Sequence, residues 1–263
     1  AVGGVAALLL AGSNDQQHAL LPKVAAGELL LSLAVDETPR HNPSQVSTRL
    51  ESKGDGFVLN GRKQFVIDGH VADKLIVSAR SSGADSERDG ISLLLVDRTA
   101  AGVKVERVSM ADSRNAALVT FTDVAVAASD LLGEAGKGFD ALELTLDVVN
   151  GQLAAELLGL SLEAFERTVA YLQERKQFGV TLSSFQGLQH RCAHLFSELE
   201  LVKSVVLKAL MALDEGDEDA SMLVSLAKAK ASEVAELATN EAVQMHGGMG
   251  MTDEFDIGLF MKR

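Results

Sequence analysis

Hydrophobic and polar positions divide the chain into three stretches of different period. Residues 1–27 read as helix, first an apolar one around Val5–Leu10 and then a polar one from about Asn14 to Ala26, with Asn14 and Asp15 placed to cap it. From Glu28 the period shortens. Leu29–Val35 is a continuous apolar run of strand length, and Gln45–Leu50 alternates. Gly56–Asp68 reads as a hairpin, because Phe57, Val58 and Leu59 lead into Asn60-Gly61, a strong short-range hairpin signal. Lys74–Ala79, Ile91–Val96, Val103–Val108 and Ala117–Phe121 are further strands, with a turn at Asp89-Gly90. Short strands at this spacing predict an antiparallel barrel or sandwich. No parallel β/α alternation is present, which argues against a Rossmann arrangement.

Beyond the glycine-rich stretch Gly133–Phe139 the helical period takes over. Phe139–Gln177, Ser183–Asp214 and Glu218–His246 are long helices, and no proline follows Pro43 to interrupt them. Three such helices with short links predict an up-and-down bundle one helix short of four.

Composition narrows the partners. A hydrophobic content of 47% over 263 residues suits a protein with a real core. A net charge of −13 argues against nucleic acid or an anionic membrane as the main partner. The longest apolar run is far too short to span a bilayer. Cys192 is the one cysteine, so no internal disulfide can form, which points to a reducing compartment such as a bacterial cytoplasm. The chain opens with Ala inside a helix-like run and reads as a fragment or ordered part of a longer protein, so missing targeting signals carry no weight.

Three groups of residues could carry chemistry. Gln244 is followed by Gly247, Gly248 and Gly250 at the end of a helical pattern. A side-chain amide beside bare backbone can lie against a flat polar ligand such as a nucleotide pyrophosphate, although an ordinary helix end fits the spacing equally well. Arg175, near a helix end before Gly179, could fork two N–H donors onto a phosphate, or be a solvated arginine. His190 and His194 share a helix face with Glu198. No His-Glu-x-x-His motif is present, so packing or surface is the better reading and no metal is expected.

Gln-Met-His-Gly-Gly-Met-Gly at Gln244–Gly250, with Glu-Arg-Lys-Gln-Phe-Gly at Glu174–Gly179, resembles the carboxy-terminal domain of the flavin-dependent acyl-CoA dehydrogenases. The similarity runs through nearly all of the chain. It implies an α+β fold: the end of an amino-terminal helical domain at 1–27, a β middle domain at 28–132 and a helical bundle at 133–263. It also implies FAD, an acyl-CoA substrate of lipid metabolism such as fatty acid β-oxidation, a homo- or hetero-tetramer and an electron-transfer acceptor. In the family, the positions matching Arg175, Phe178, Gln244, Gly247 and Gly248 reach across a dimer interface to the pyrophosphate of the neighbour's flavin. The resemblance leaves His246 as a packing residue or a contact at the flavin edge.

The own-subunit flavin contacts depart from the family pattern. Where relatives carry Thr-Glu-Pro and then Gly-Ser, this chain has Asp36-Glu37-Thr38 and, at the serine position, Asn42. Where they carry Trp-Ile-Thr-Asn-Gly, it has Phe65-Val66-Ile67-Asp68-Gly69. Isoleucine cannot donate to the flavin N5, and Asp36 would oppose an anionic reduced flavin. The family's catalytic glutamate falls past Arg263, and the alternative position on the first long helix is Val149, followed by Asn150 where an arginine is usual. No catalytic residue is therefore assigned. Asp147, one turn earlier, is a candidate substrate-binding residue. Three expectations result: an acyl-CoA dehydrogenase chain forming a homotetramer, a degenerate partner subunit that completes another chain's flavin site, or a flavin-free scaffold on the same fold.

Overall fold

Two helices, α1 (Val2–Ala11) and α2 (Asn14–Ala25), open the computed structural model, which describes residues 2–263. The cap of α2 is Ser13, not Asn14 or Asp15. Its hydroxyl accepts from the Gln16 amide, and the Gln16 side chain accepts from the Ser13 amide in return. Asp15 sits in the first turn, where its charge suits the positive end of the helix.

One eight-stranded sheet follows: β1 (Leu31–Ala34), β2 (Arg49–Lys53), β3 (Gly56–Ile67), β4 (Lys74–Arg80), β5 (Ile91–Asp97), β6 (Val103–Ser109), β7 (Asn115–Ala127) and β8 (Leu131–Leu132). The strands lie in the order β6-β7-β3-β2-β4-β5-β8, with β1 alongside β4. Most pairs are antiparallel, but β1 runs parallel to β4 from Leu31↔Lys74 to Ala34↔Val77, and β2 meets β4 in parallel at Arg49↔Arg80. The sheet is thus mixed and its strand path does not close, which corrects the antiparallel barrel within a correctly expected α+β class.

The predicted hairpin at Asn60-Gly61 is not there. β3 runs straight through it, and its pairing with β7 slips one step between Leu59 and Gly61, a bulge that Gly61 accommodates with φ 150°. The Asn60 side chain donates to Asp123 Oδ1 (3.1 Å) and accepts from the Asp123 amide (2.8 Å) across the ladder. The turn lies earlier, where Lys53 pairs with Gly56 around Gly54 at φ 60°. A long ladder to β7 outweighs the local preference of Asn-Gly for a turn.

Both faces of β4 and β5 are covered, which is why they read as unbroken apolar runs. Leu75, Val77, Leu94 and Val96 pack with Leu59, Val119 and Phe121 on one face. Ile76, Leu93 and Leu95 pack with Leu8, Leu31, Leu132 and Leu142 on the other.

The chain divides into two units, the first ending at Val148 and the second beginning at Val149. Helix α3 (Phe139–Glu174) contributes to each. The second unit continues with a two-stranded hairpin, β9 (Lys176–Gln177) and β10 (Val180–Thr181), then α4 (Gln186–Glu215), α5 (Ala220–His246) and the short α6 (Ile257–Lys262). Ala154 of α3 packs there with Leu195, Leu199 and Val206 of α4 and with Val224, Ala227 and Val234 of α5. Helix α4 stops at Gly216, which takes the left-handed φ of 66°.

Candidate functional site

In the second unit, α5 ends on Gly247 at φ 62° and ψ −140°, a positive-φ conformation that a glycine just past a helix can take and a side chain cannot take without strain. The glycines that follow have different reasons to be there. A Cβ on Gly250 would stand 2.6 Å from the Val243 carbonyl oxygen, so packing within the chain excludes any side chain. A Cβ on Gly248 would meet nothing within 4 Å, and Gly248 has no positive φ. Nothing within this chain demands a glycine at that position.

Gln244, Gly247 and Gly248 line one open cavity of about 520 Å³ with Arg191, Glu241 and Met251. Arg191 Nε lies 2.6 Å from Glu241 Oε2. This pair was not singled out in the sequence, because its members lie on different helices. Arg175 lines a second cavity of about 530 Å³ with Tyr171, His246 and Phe255. The two cavities flank the same end of α5, since His246 and Gln244 stand two residues apart. His246 itself is buried and spoken for: its Nδ1 lies 2.7 Å from the Ala242 carbonyl oxygen, and its ring stacks on Tyr171 at 4.2 Å.

Phe178 lines neither cavity. With Gly179 it forms the tip of the β9–β10 hairpin, at φ 57° and 83°. Two central residues at positive φ make the primed turn that suits a tight hairpin, but a phenylalanine there is strained. It is also 91% exposed, touching Phe185 edge-on at 6.1 Å. Asp147 is half-buried on α3 in the first unit, two residues before Val149 in sequence.

The remaining candidates belong to the first unit. At a second register slip, between Lys63 and Val66, Phe65 takes φ 54° and is left 57% exposed, with Ile67 also exposed beyond it. The bulge turns an aromatic ring outward from the sheet. Asp36 does not stand as an isolated charge, because the His41 Nδ1 lies 2.8 and 3.1 Å from its two carboxylate oxygens. Asn42 accepts from the Ser44 hydroxyl at 2.9 Å.

Behind these residues lies a group that sequence reading missed. Lys63 is fully buried, and its ammonium donates to the Val35 carbonyl (2.9 Å), to Glu37 Oε1 (2.7 Å) and to the Ser78 hydroxyl (3.0 Å). Burial pushes the lysine down to about 8, opposed by the Glu37 charge. Glu37 is held below its ordinary value: burial raises it, but the Lys63 charge and the hydrogen bonds it accepts together prevail. Its carboxylate also accepts from the Ser47 and Thr48 amides. The available signal was a lysine at an inward position of an alternating strand.

His190 and His194 gather no metal set, since among the described residues no group of three or more potential ligands occurs. Glu198 pairs instead with Lys230 at 2.6 Å. No helix among the described residues is long and apolar enough to cross a membrane.

Comparison with known proteins agrees with this architecture. The acyl-CoA dehydrogenase middle domain matches residues 36–124, and the acyl-CoA dehydrogenase C-terminal domain matches residues 136–263. A probable acyl-CoA dehydrogenase of Bacillus subtilis is 32% identical over 97% of this chain and 68% of its own length. The short/branched chain specific acyl-CoA dehydrogenase of Bos taurus is 31% identical over 95% of this chain, which spans only 58% of that relative's length. The crystal structure of acyl-CoA dehydrogenase from Geobacillus kaustophilus superposes with a TM-score of 0.92 at 30% identity, covering 97% of this chain and 68% of that one. The chain belongs to the acyl-CoA dehydrogenase family.

Proposed function

We propose that the chain is a subunit of an FAD-dependent acyl-CoA dehydrogenase that oxidises the Cα–Cβ bond of an acyl-CoA thioester. In this reading residues 1–27 end a helical domain, 28–132 form the β domain and 133–263 the helical domain. The chain's own contribution is the edge made by Arg175, Phe178, Gln244, Gly247 and Gly248, set against the pyrophosphate of a flavin held mainly by a neighbouring subunit. The observation that carries this is Gly248, a glycine that neither backbone geometry nor packing requires, beside a side-chain amide and an open cavity. Its bare backbone suits close approach by a second body. The residues on this edge fit a diphosphate: Arg175 offers a planar fork of donors, and Gln244 an amide.

When bound, FAD would accept the β-hydrogen as hydride. The chain's residues then have binding work: Arg175 balances phosphate charge, Gln244 and the glycine backbone orient the cofactor, and Phe178 covers its edge. Removal of the α-proton needs a carboxylate. Val149 cannot serve, and we assign no base within residues 1–263. Asp147 is proposed as a substrate contact.

A second reading has its own observation. Ile67 stands exposed where relatives offer a hydroxyl, and Asp36 is occupied by His41. The ring-facing side of this chain's β unit therefore lacks the polar groups a flavin would use, and favours a degenerate subunit of a heteromeric enzyme. Flavin content decides between the readings. The protein purified alone should carry little FAD and gain about one per two chains when co-produced with a complementary dehydrogenase subunit. One flavin per chain alone would select the self-sufficient homo-oligomer, and none under either condition would overturn both in favour of a scaffold.

A further inference from the structure

The segment between β1 and β2, residues 35–48, crosses the sheet without strand pairing of its own, yet it carries Asp36, Glu37 and Asn42. Two buried cations hold it. Arg80 holds its far half, through Nε to the Val46 carbonyl (2.9 Å) and Nη2 to the Ser44 carbonyl (3.2 Å). Lys63 holds its near half through the Val35 carbonyl and the Glu37 carboxylate. Glu37 in turn fastens the segment's return by accepting from the Ser47 amide (2.7 Å) and the Thr48 amide (3.1 Å). The Gln64 amide, next to Lys63 on β3, donates to the Asp36 carbonyl at 2.8 Å.

Lys63 therefore joins three things: the first residues of the loop, the return of the loop by way of Glu37, and the strand that presents Phe65 and Ile67. We propose that Lys63 is a positioning residue, whose ammonium locks the 35–48 loop to β3 and fixes Asp36 and Asn42 relative to the outward-turned Phe65–Ile67 edge. That this edge and this loop face a flavin rests on the proposed function; the lock itself does not. The other charges facing the ammonium are Glu37, Asp36 and Arg80. A lysine suits the task better than an apolar residue of similar length, because three acceptors, two from the loop and one from Ser78 on β4, converge on one point and need three donors. Left without a donor, the buried Val35 carbonyl and Glu37 carboxylate would turn to water, and the loop would open to admit it.

The test is residue-resolved amide hydrogen exchange on the full chain, with no flavin required. In Lys63→Met, exchange at Ser47, Thr48 and Gln64 should rise about tenfold or more, the effect of losing charge-assisted hydrogen bonds. The Val46 amide, which donates to the Asp85 carbonyl at 2.8 Å on the Arg80 side, should keep its protection, as should β4 and β5. Lys63→Arg, which retains the charge and the donors, should restore most of the protection. Where Lys63→Met unfolds the unit, Lys63→Met combined with Glu37→Gln removes the unpaired carboxylate and decides the matter. A loop looser in that double variant than in Glu37→Gln alone supports the lock, and protection equal to that of Glu37→Gln alone overturns it. Unchanged exchange at Ser47, Thr48 and Gln64 in Lys63→Met overturns it directly. Flavin counting is a separate measurement, so a failed lock and a failed flavin reading give different results.

Discussion

Arg191 on α4 holds Glu241 on α5 at 2.6 Å, one turn before Gln244 on the same helix. The pair sits in the wall of the cavity lined by Gly247 and Gly248. A carboxylate so close to the proposed diphosphate site would repel the ligand, and the arginine cancels that charge. Arg191→Ala should therefore weaken flavin retention by about two- to fivefold, the scale of a partly exposed ion pair. Glu241→Gln should leave retention equal or better. Fluorescence titration of FAD into the apo oligomer reads both, and equal losses in the two variants would argue against a charge effect.

The two neighbouring glycines should separate folding from binding. Gly250→Ala puts a Cβ against the Val243 carbonyl and should destabilise the chain by about 1–3 kcal/mol. Gly248→Ala has open space and should melt like the parent, while losing flavin when assembled. Thermal melting alongside flavin content checks this. If Gly248→Ala retained its full flavin complement, the contact assigned to it would be wrong.

Phe178 should show opposite signs in stability and binding. Its positive φ costs the hairpin about 1 kcal/mol, which Phe178→Gly recovers in part. The variant should be equally or more stable in denaturant, yet hold flavin less well. A Phe178→Gly variant that melts markedly earlier would show that the ring stabilises its own chain, through Phe185.

Lys63 also sets a pH dependence. Its ordinary value of 10.5 falls to about 8 in the fold. Between those values the unfolded chain holds a proton that the folded chain has released, so stability rises with pH across that window. The full effect is roughly 3 kcal/mol by linkage. Below about pH 8 both states are protonated and the cost of burying the charge is present in full. Chemical denaturation of parent and Lys63→Met across pH 7.5–10.5 should show a rise in the parent that the variant lacks. Parallel curves would place the lysine's titration elsewhere.

How much of this was legible from sequence varied with the distance over which each feature is decided. The long helices were plain, because their period is local and repeated over many turns. Gly247 announced its positive-φ turn for the same reason. The Asn60-Gly61 reading failed because the ladder from β3 to β7 pairs residues some sixty positions apart. The parallel pairing of β1 with β4 was invisible for a related cause: a single strand's pattern says nothing of its neighbour's direction. Arg191–Glu241 and Lys63–Glu37 are each ordinary charges in the sequence, and only folding makes them partners. The five residues proposed for a flavin edge were proposed from their resemblance to a motif. The structure places four of them around one helix end and the fifth on a strained hairpin tip.

The bulge in β3 bears finally on how the protein ages. Asn-Gly is the dipeptide most prone to deamidation, which requires the glycine nitrogen to attack the asparagine side chain and needs a pliant backbone. Here Asn60 is clamped between two strands, with its carboxamide engaged by Asp123 at both ends. The bond that would be the weak point of a surface turn is instead held away from its own chemistry for as long as β3 and β7 stay paired.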